Sequence, residues 1–286
     1  KNKYNLNYNN LLLSHNNEPL NVRENIKSLI KQKKIKFFPG FVDNIYKDGD
    51  DYKISILSKN KQYTLTDKKV ILAAGSLSST KLLMQLLKIN SVRLLCTPST
   101  QSICMSYRKH LDTSLNSLLT FNIKNQTDII NSVFPLNGLN NKFFFDYIKI
   151  NLKPAIPFIN FFKKYIYGIY TYHSSDYSNV RINRYNENFI VEGLELNKNL
   201  NQLDDFYNKS FIKIPFTNKD LLQGVDNHVG GSFPLEKYFN ESNELNNFKN
   251  LFVIDGTYLN FIPPLGYTLI TILNSIRVAE KIADKK

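Results

Sequence analysis

Three short stretches hold residue types that could do chemistry together. The first is the corner Ala73-Ala74-Gly75, which closes the uncharged apolar run Val70 to Ala74. The second is Asp255-Gly256, at the end of a similar run, Asn250 to Ile254. A glycine at such a corner lets a ligand approach the backbone closely. A helix beginning there presents unpaired N–H groups and the positive end of its dipole, which suits phosphate or a developing anion. Asp255 can accept hydrogen bonds from a ribose or ribityl hydroxyl. The third stretch is Asn227-His228-Val229-Gly230-Gly231-Ser232-Phe233-Pro234. The ordinary pKa of histidine lies near neutrality, so His228, followed by a flexible Gly-Gly turn, can act as a general base. Each stretch alone also has a plainer reading: strand, glycine and helix meet in many proteins for packing reasons, and a loop histidine is more often structural. His15, His110 and His173 have no such setting and read as structural or surface residues. No Gly-x-Ser-x-Gly elbow makes Ser232 a hydrolase nucleophile, and no His, Cys, Asp and Glu cluster has metal-ligand spacing.

The elements that must position these residues follow from periodicity. Lys1 to Pro19 is polar and Asn-rich and reads as irregular. Arg23 to Lys33 reads as a short helix ending in lysines, which suits a helix C-terminus. Ile35 to Ile45, with a Pro39-Gly40 turn inside it, then Tyr52 to Leu57 and Gln62 to Thr66 form a β-meander. Val70 to Ala74, apolar on both faces, has the character of a buried parallel strand. After Gly75, Ser76 is the expected N-cap of a helix over Leu77 to Leu87, with Leu82, Leu83, Leu86 and Leu87 at helical spacing. Strand-like runs recur at Ser117 to Ile123 and Phe189 to Leu196, beside the aromatic-rich segment Phe143 to Tyr172. Near the C-terminus, Thr268 to Asp284 reads as a helix with Leu269, Ile272, Leu273, Ile276, Ala279 and Ala283 on one face.

Composition bounds the partners. With 42% hydrophobic and 21% charged residues over 286, the chain has the makings of a folded globular protein. The formal net charge of +13 invites an anionic partner such as nucleic acid or a membrane surface. The basic clusters Lys31 to Lys36 and Lys68-Lys69 lack aromatic interleaving, and no nucleic-acid motif is present, so lysine spread over the surface is the favoured reading and no nucleic acid is expected. Cys96 and Cys104 fit neither a zinc site nor a CxxC pair and read as buried thiols, with a disulfide left open. Lys1 to Asn10 has no apolar signal core, and Ile156 to Tyr172 is broken by Lys163-Lys164, too short to span a membrane. A cytoplasmic protein is the default, with an interfacial or substrate-facing helix at Ile156 to Tyr172 as an alternative.

Taken in order, four blocks resemble one family. Val70 to Leu83 resembles the segment usually written VILAAGALGSPKLL of the glucose–methanol–choline oxidoreductases. His228 to Pro234 resembles their H-x-x-G-T block, Asn250 to Thr257 their N-L-x-V-x-D-A/G-S, and Ile262 to Ala283 their closing segment. The resemblance implies an α/β fold: a partial FAD-binding Rossmann-like domain plus a sheet-based substrate domain. Residues 1–90 and 225–286 would form the flavin part and 91–224 the substrate part. It further implies FAD as cofactor, lined by Ala74, Gly75, Asp255 and Gly256, with Val42 toward the adenine end. The helix beginning near Thr268 would aim at the flavin N1–O2 edge, and His228 would help remove an alcohol proton as hydride passes to N5.

Two departures qualify the resemblance. The family's second catalytic His or Asn falls near Gly266, where neither is present. No G-x-G-x-x-G occurs anywhere, so a missing N-terminal segment is expected to complete the pyrophosphate cradle, and this chain alone is expected to hold FAD poorly. Three functions follow as expectations: FAD-linked oxidation of an alcohol, with a sugar or polyol as the suggested substrate; a non-catalytic family member binding a carbohydrate or protein; and a membrane-surface protein using its charge and Ile156 to Tyr172.

Overall fold

Backbone hydrogen bonding sorts the chain into several sheets and a few helices, an α+β architecture. The computed structural model describes residues 4–10, 22–59, 61–106, 117–123, 128–135, 161, 165–193, 211–213, 219–220, 228–264 and 267–284. The N-terminal stretch, expected to be irregular, contains strand β1 (Tyr4–Asn10), antiparallel to a strand more than a hundred residues later. Its alternation of Tyr4, Leu6 and Tyr8 with asparagine has the period of two that a strand needs. Helix α1 (Arg23–Lys31) follows.

The meander is β2 (Phe41–Asp48), β3 (Asp51–Ser58) and β4 (Lys61–Asp67), all antiparallel. Its first strand begins after Pro39-Gly40 and not at Ile35, in keeping with proline's missing N–H donor. Tyr52 on β3 is fully buried, and its hydroxyl donates to the Lys249 carbonyl at 2.8 Å, tying the meander to the chain just before the Asp255 corner. Strand β5 (Val70–Leu72) leads into helix α2 (Ser76–Leu86), whose N-cap is Gly75 and not the expected Ser76.

Strands β6 (Ser91–Cys96), β7 (Ser99–Ser106), β8 (Ser117–Ile123), β9 (Ile129–Pro135) and β10 (Ile166–His173) follow, then β11 (Val180–Tyr185), β12 (Asn188–Gly193), β13 (Phe211–Lys213), β14 (Lys219–Asp220) and β15 (Val229–Gly230). One sheet runs β1-β8-β9-β10-β7-β13, with β14 also on β7, and a second runs β12-β11-β6-β15. Residues 166–172, where an interfacial helix was the alternative, are instead strand β10, hydrogen-bonded on both sides. The aromatic residues of the preceding 143–160 lie outside the described residues. No helix among the described residues is long and apolar enough to cross a membrane. Cys96 and Cys104 are buried thiols not joined in a disulfide, and burial pushes the Cys104 thiol up to about 12.

The chain returns through the short helix α3 (Leu235–Tyr238) to β16 (Leu251–Val253), which lies parallel to β5 with Leu251 opposite Val70. Helix α4 (Thr268–Asp284) closes the described structure with the predicted bounds. One core joins the meander, β5, α2, β6, β11 and the returning segment through β16, with Leu72, Leu82, Leu83, Leu94, Phe233, Leu251, Val253 and Ile262 all buried. The predicted packing face of α4 is not the packed one. Leu269, Leu273 and Ile276 are 68%, 57% and 51% exposed, and the helix is held instead through Ser275, Arg277 and buried Val278. Apolar periodicity identifies the face that favours burial, but not the polypeptide that covers it.

His173, at the end of β10, has 1% of its surface exposed, and neither ring nitrogen has a hydrogen-bond partner. Burial lowers its pKa from 6.5 to about 4, against a smaller opposite pull from Asp128. Between those values the unfolded chain binds the proton and the folded one does not, so stability is full above pH 6.5 and falls as pH drops toward 4. The loss attributable to this group is about 3 kcal/mol. Urea melts of the wild type and His173→Phe at pH 7 and pH 4.5 should diverge, with the variant losing less stability on acidification. Parallel losses would remove His173 as the cause.

Candidate functional site

The site begins with the parallel pair β5 and β16. Because the two strands run side by side in the same direction, their C-terminal corners, Gly75 and Asp255-Gly256, emerge next to one another. The Asp255 carboxylate locks them together. Its Oδ2 accepts the Gly75 N–H at 3.0 Å and the Ser79 hydroxyl at 2.5 Å. Its Oδ1 accepts the N–H and hydroxyl of Thr257 at 3.0 and 2.5 Å. A carboxylate has about four lone-pair positions, and donors of the protein itself occupy that many. Asp255 therefore shapes the corner instead of offering a vacant acceptor to a ribose or ribityl hydroxyl.

Gly75 adopts φ 85°, a left-handed conformation that other residues rarely take, and its side-chain direction opens onto empty space. It caps α2 without a side-chain partner, so N–H groups of the first turn remain for a ligand. The Asp255 carboxylate already sits at this positive helix end through Gly75 and Ser79. A second anion there is disfavoured, and an uncharged acceptor such as a ring carbonyl or a hydroxyl suits the place better than phosphate.

The His228 stretch lies along the same corner. The Gly231 N–H donates to the Gly256 carbonyl at 2.8 Å, and the Phe233 N–H to the Thr257 carbonyl at 3.1 Å. Ser232 is buried against the Thr80 hydroxyl of α2, which fits a structural role. Val229 pairs with Cys96 of β6, so the turn is held from both sides. The His228 ring is half-buried and meets the edge of Tyr267, with centroids 6.1 Å apart and planes at 69°. Burial lowers its pKa below the usual 6.5, keeping the imidazole neutral and able to accept a proton at neutral pH.

A cavity of about 400 Å³ opens between these parts. Of the residues singled out from sequence, Gly75, Asp255, Gly256 and Thr268 line it, while Ala74 and Val42 do not. Val42 is exposed on β2, whose neighbouring Asp43 instead pairs with Lys81 of α2 at 3.2 Å. His228 does not line it; its ring meets that of Tyr267, which does. Sequence reasoning missed Ser76, Tyr267, Thr271 and Ser275, which also line it. The small polar series Thr268, Thr271 and Ser275 recurs at helical spacing and could have signalled a polar strip on α4. Nothing in the sequence marked Tyr267. Among the described residues no cluster has the makings of a metal site.

No family model matches the sequence, and no curated protein matches it. The solved structure of pyridoxine 4-oxidase from Mesorbium loti is similar, with a TM-score of 0.55 at 12% identity. The aligned part covers 84% of this chain and 56% of that one, so the chain spans little more than half the length of that protein. At such low identity the likeness is one of fold.

Proposed function

We propose that the protein is a flavin-dependent oxidoreductase of the glucose–methanol–choline type, acting on an alcohol, with FAD held against the Gly75 and Asp255 corners. The observation that carries this is the Gly75 N–H on the Asp255 carboxylate, which joins two corners 180 residues apart around one cavity. The protein of similar fold is named as an oxidase of pyridoxine, which agrees with redox chemistry.

The residues present fit one end of the cofactor. The exposed backbone at Gly75, with open space where a side chain would be, and the first-turn N–H groups of α2 make a cradle for an uncharged hydrogen-bonding edge. The cavity is too small for a whole dinucleotide. In this proposal 1–90 and 225–286 form the flavin part and 91–224 the substrate part. A further polypeptide segment supplies the phosphate-binding loop and covers the exposed stripe of α4.

When bound, the flavin supplies the acceptor for hydride and electrons. Gly75 and Thr268 would hold it at the cavity, Asp255 would keep the corner rigid, and His228, neutral at working pH, would take the hydroxyl proton of the substrate. A sugar or polyol is the proposed substrate class, since the hydroxyls of Ser76, Tyr267, Thr268, Thr271 and Ser275 line the cavity beside apolar Ile272 and Ile276. In the flavin-loaded protein, an alcohol substrate should bleach the visible absorbance. His228→Ala should slow that bleaching by about 10²–10⁴-fold and leave flavin bound. Bleaching at the wild-type rate would remove His228 as the base.

A further inference from the structure

Tyr267 makes contacts that the proposed reaction does not use. Its hydroxyl donates to the Val229 carbonyl at 2.5 Å, one residue from His228, and lies 3.3 Å from the Ser76 hydroxyl at the start of α2. Its ring meets the His228 ring edge-on. The same ring covers Gly256: a Cβ there would fall 2.6 Å from Tyr267 Cε2 and 2.8 Å from Cζ. Its own carbonyl accepts the Thr271 N–H at 2.9 Å and so belongs to the first turn of α4. Its side chain thus touches the start of α2, the Gly256 corner and the His228 turn, while its backbone is tied to α4.

We infer that Tyr267 is the positioning residue for His228: the hydroxyl pins the Val229 carbonyl, the ring braces the imidazole, and the turn is thereby fixed relative to the glycine corner. This deepens the proposed function and rests on it for the role of His228. Burial raises the Tyr267 pKa, so the hydroxyl stays protonated and able to donate. Among the described residues the titratable group in contact with His228 is Tyr267, and Asp255 acts in turn on Tyr267. Asp226, two residues before His228, lies outside the described residues.

The test needs no flavin. Tyr267→Phe keeps the ring and deletes only the hydroxyl. Amide hydrogen exchange at residues 229–231 should speed up about tenfold, the scale expected for one lost hydrogen bond, while amides shared by β6 and β11 keep their rates. By NMR, with only four histidines to resolve, the His228 titration should move toward the ordinary value as the turn loosens. Ser76→Ala, which removes the secondary contact, should shift both readouts the same way by less. Wild-type exchange and titration in Tyr267→Phe would overturn the inference. So would acceleration spread evenly over all strands, which marks a general stability loss. A protein that never binds flavin sinks the proposed function and leaves this result standing.

Discussion

Asp255→Ala should destabilise the protein by about 3–5 kcal/mol, as deletion of a buried charged acceptor strands its donors. The Gly75 N–H, the Ser79 hydroxyl and the Thr257 N–H all lose their acceptor at once, and Ser79 and Thr257 are buried away from water. Asp255→Asn separates charge from shape. Its amide can present oxygen toward Thr257 or toward Gly75 and Ser79, but not both, so it should cost less, about 1–3 kcal/mol. Urea unfolding of both variants checks the order. If Asp255→Ala melts with the wild-type midpoint, the carboxylate is not the clasp between β5 and β16. If Asn equals Ala, one acceptor is worth nothing without the charge.

Gly230→Ala should be nearly as damaging, about 3 kcal/mol, for a different reason. A Cβ at 230 would press directly on the Gly256 carbonyl, which is backbone and cannot rotate aside. Relief requires moving the His228 turn off the 256–257 strip, breaking the Gly231 to Gly256 bond of 2.8 Å. Gly49→Ala is the control: it sits at φ 62° with nothing within 4 Å of the new Cβ. It should cost only the backbone strain, about 1 kcal/mol. Thermal or urea melts of the two alanine variants should therefore separate clearly. Equal losses would mean that the close approach at 230 relaxes freely and that the turn is not pressed against the Asp255 corner.

Much of the framework was legible because its signals are local. An apolar run, a glycine and leucines at helical spacing made strand, corner and helix over residues 70–86 readable, and α4 runs over the predicted span. The orientation of α4 was not readable, since its apolar stripe lies exposed while Ser275 and Val278 face inward. Strand β1 was hidden by asparagine-rich composition although its period of two is plain in hindsight, and its partner lies far along the chain. At the site, the juxtaposition of Gly75 with Asp255 depends on a parallel pairing that no local pattern specifies. The saturation of Asp255 by internal donors and the bridging by Tyr267 are properties of packing, invisible until distant segments meet.

Mapping FAD onto the protein by amide NMR tests the central claim most directly. Adding FAD to the isotope-labelled chain should perturb the signals of Gly75, Ser76, Gly256 and Thr268, even if binding is weak, and leave the β9–β10 amides unchanged. Perturbation confined to other surfaces, or silence at that corner with millimolar-scale FAD, would contradict a flavin site there.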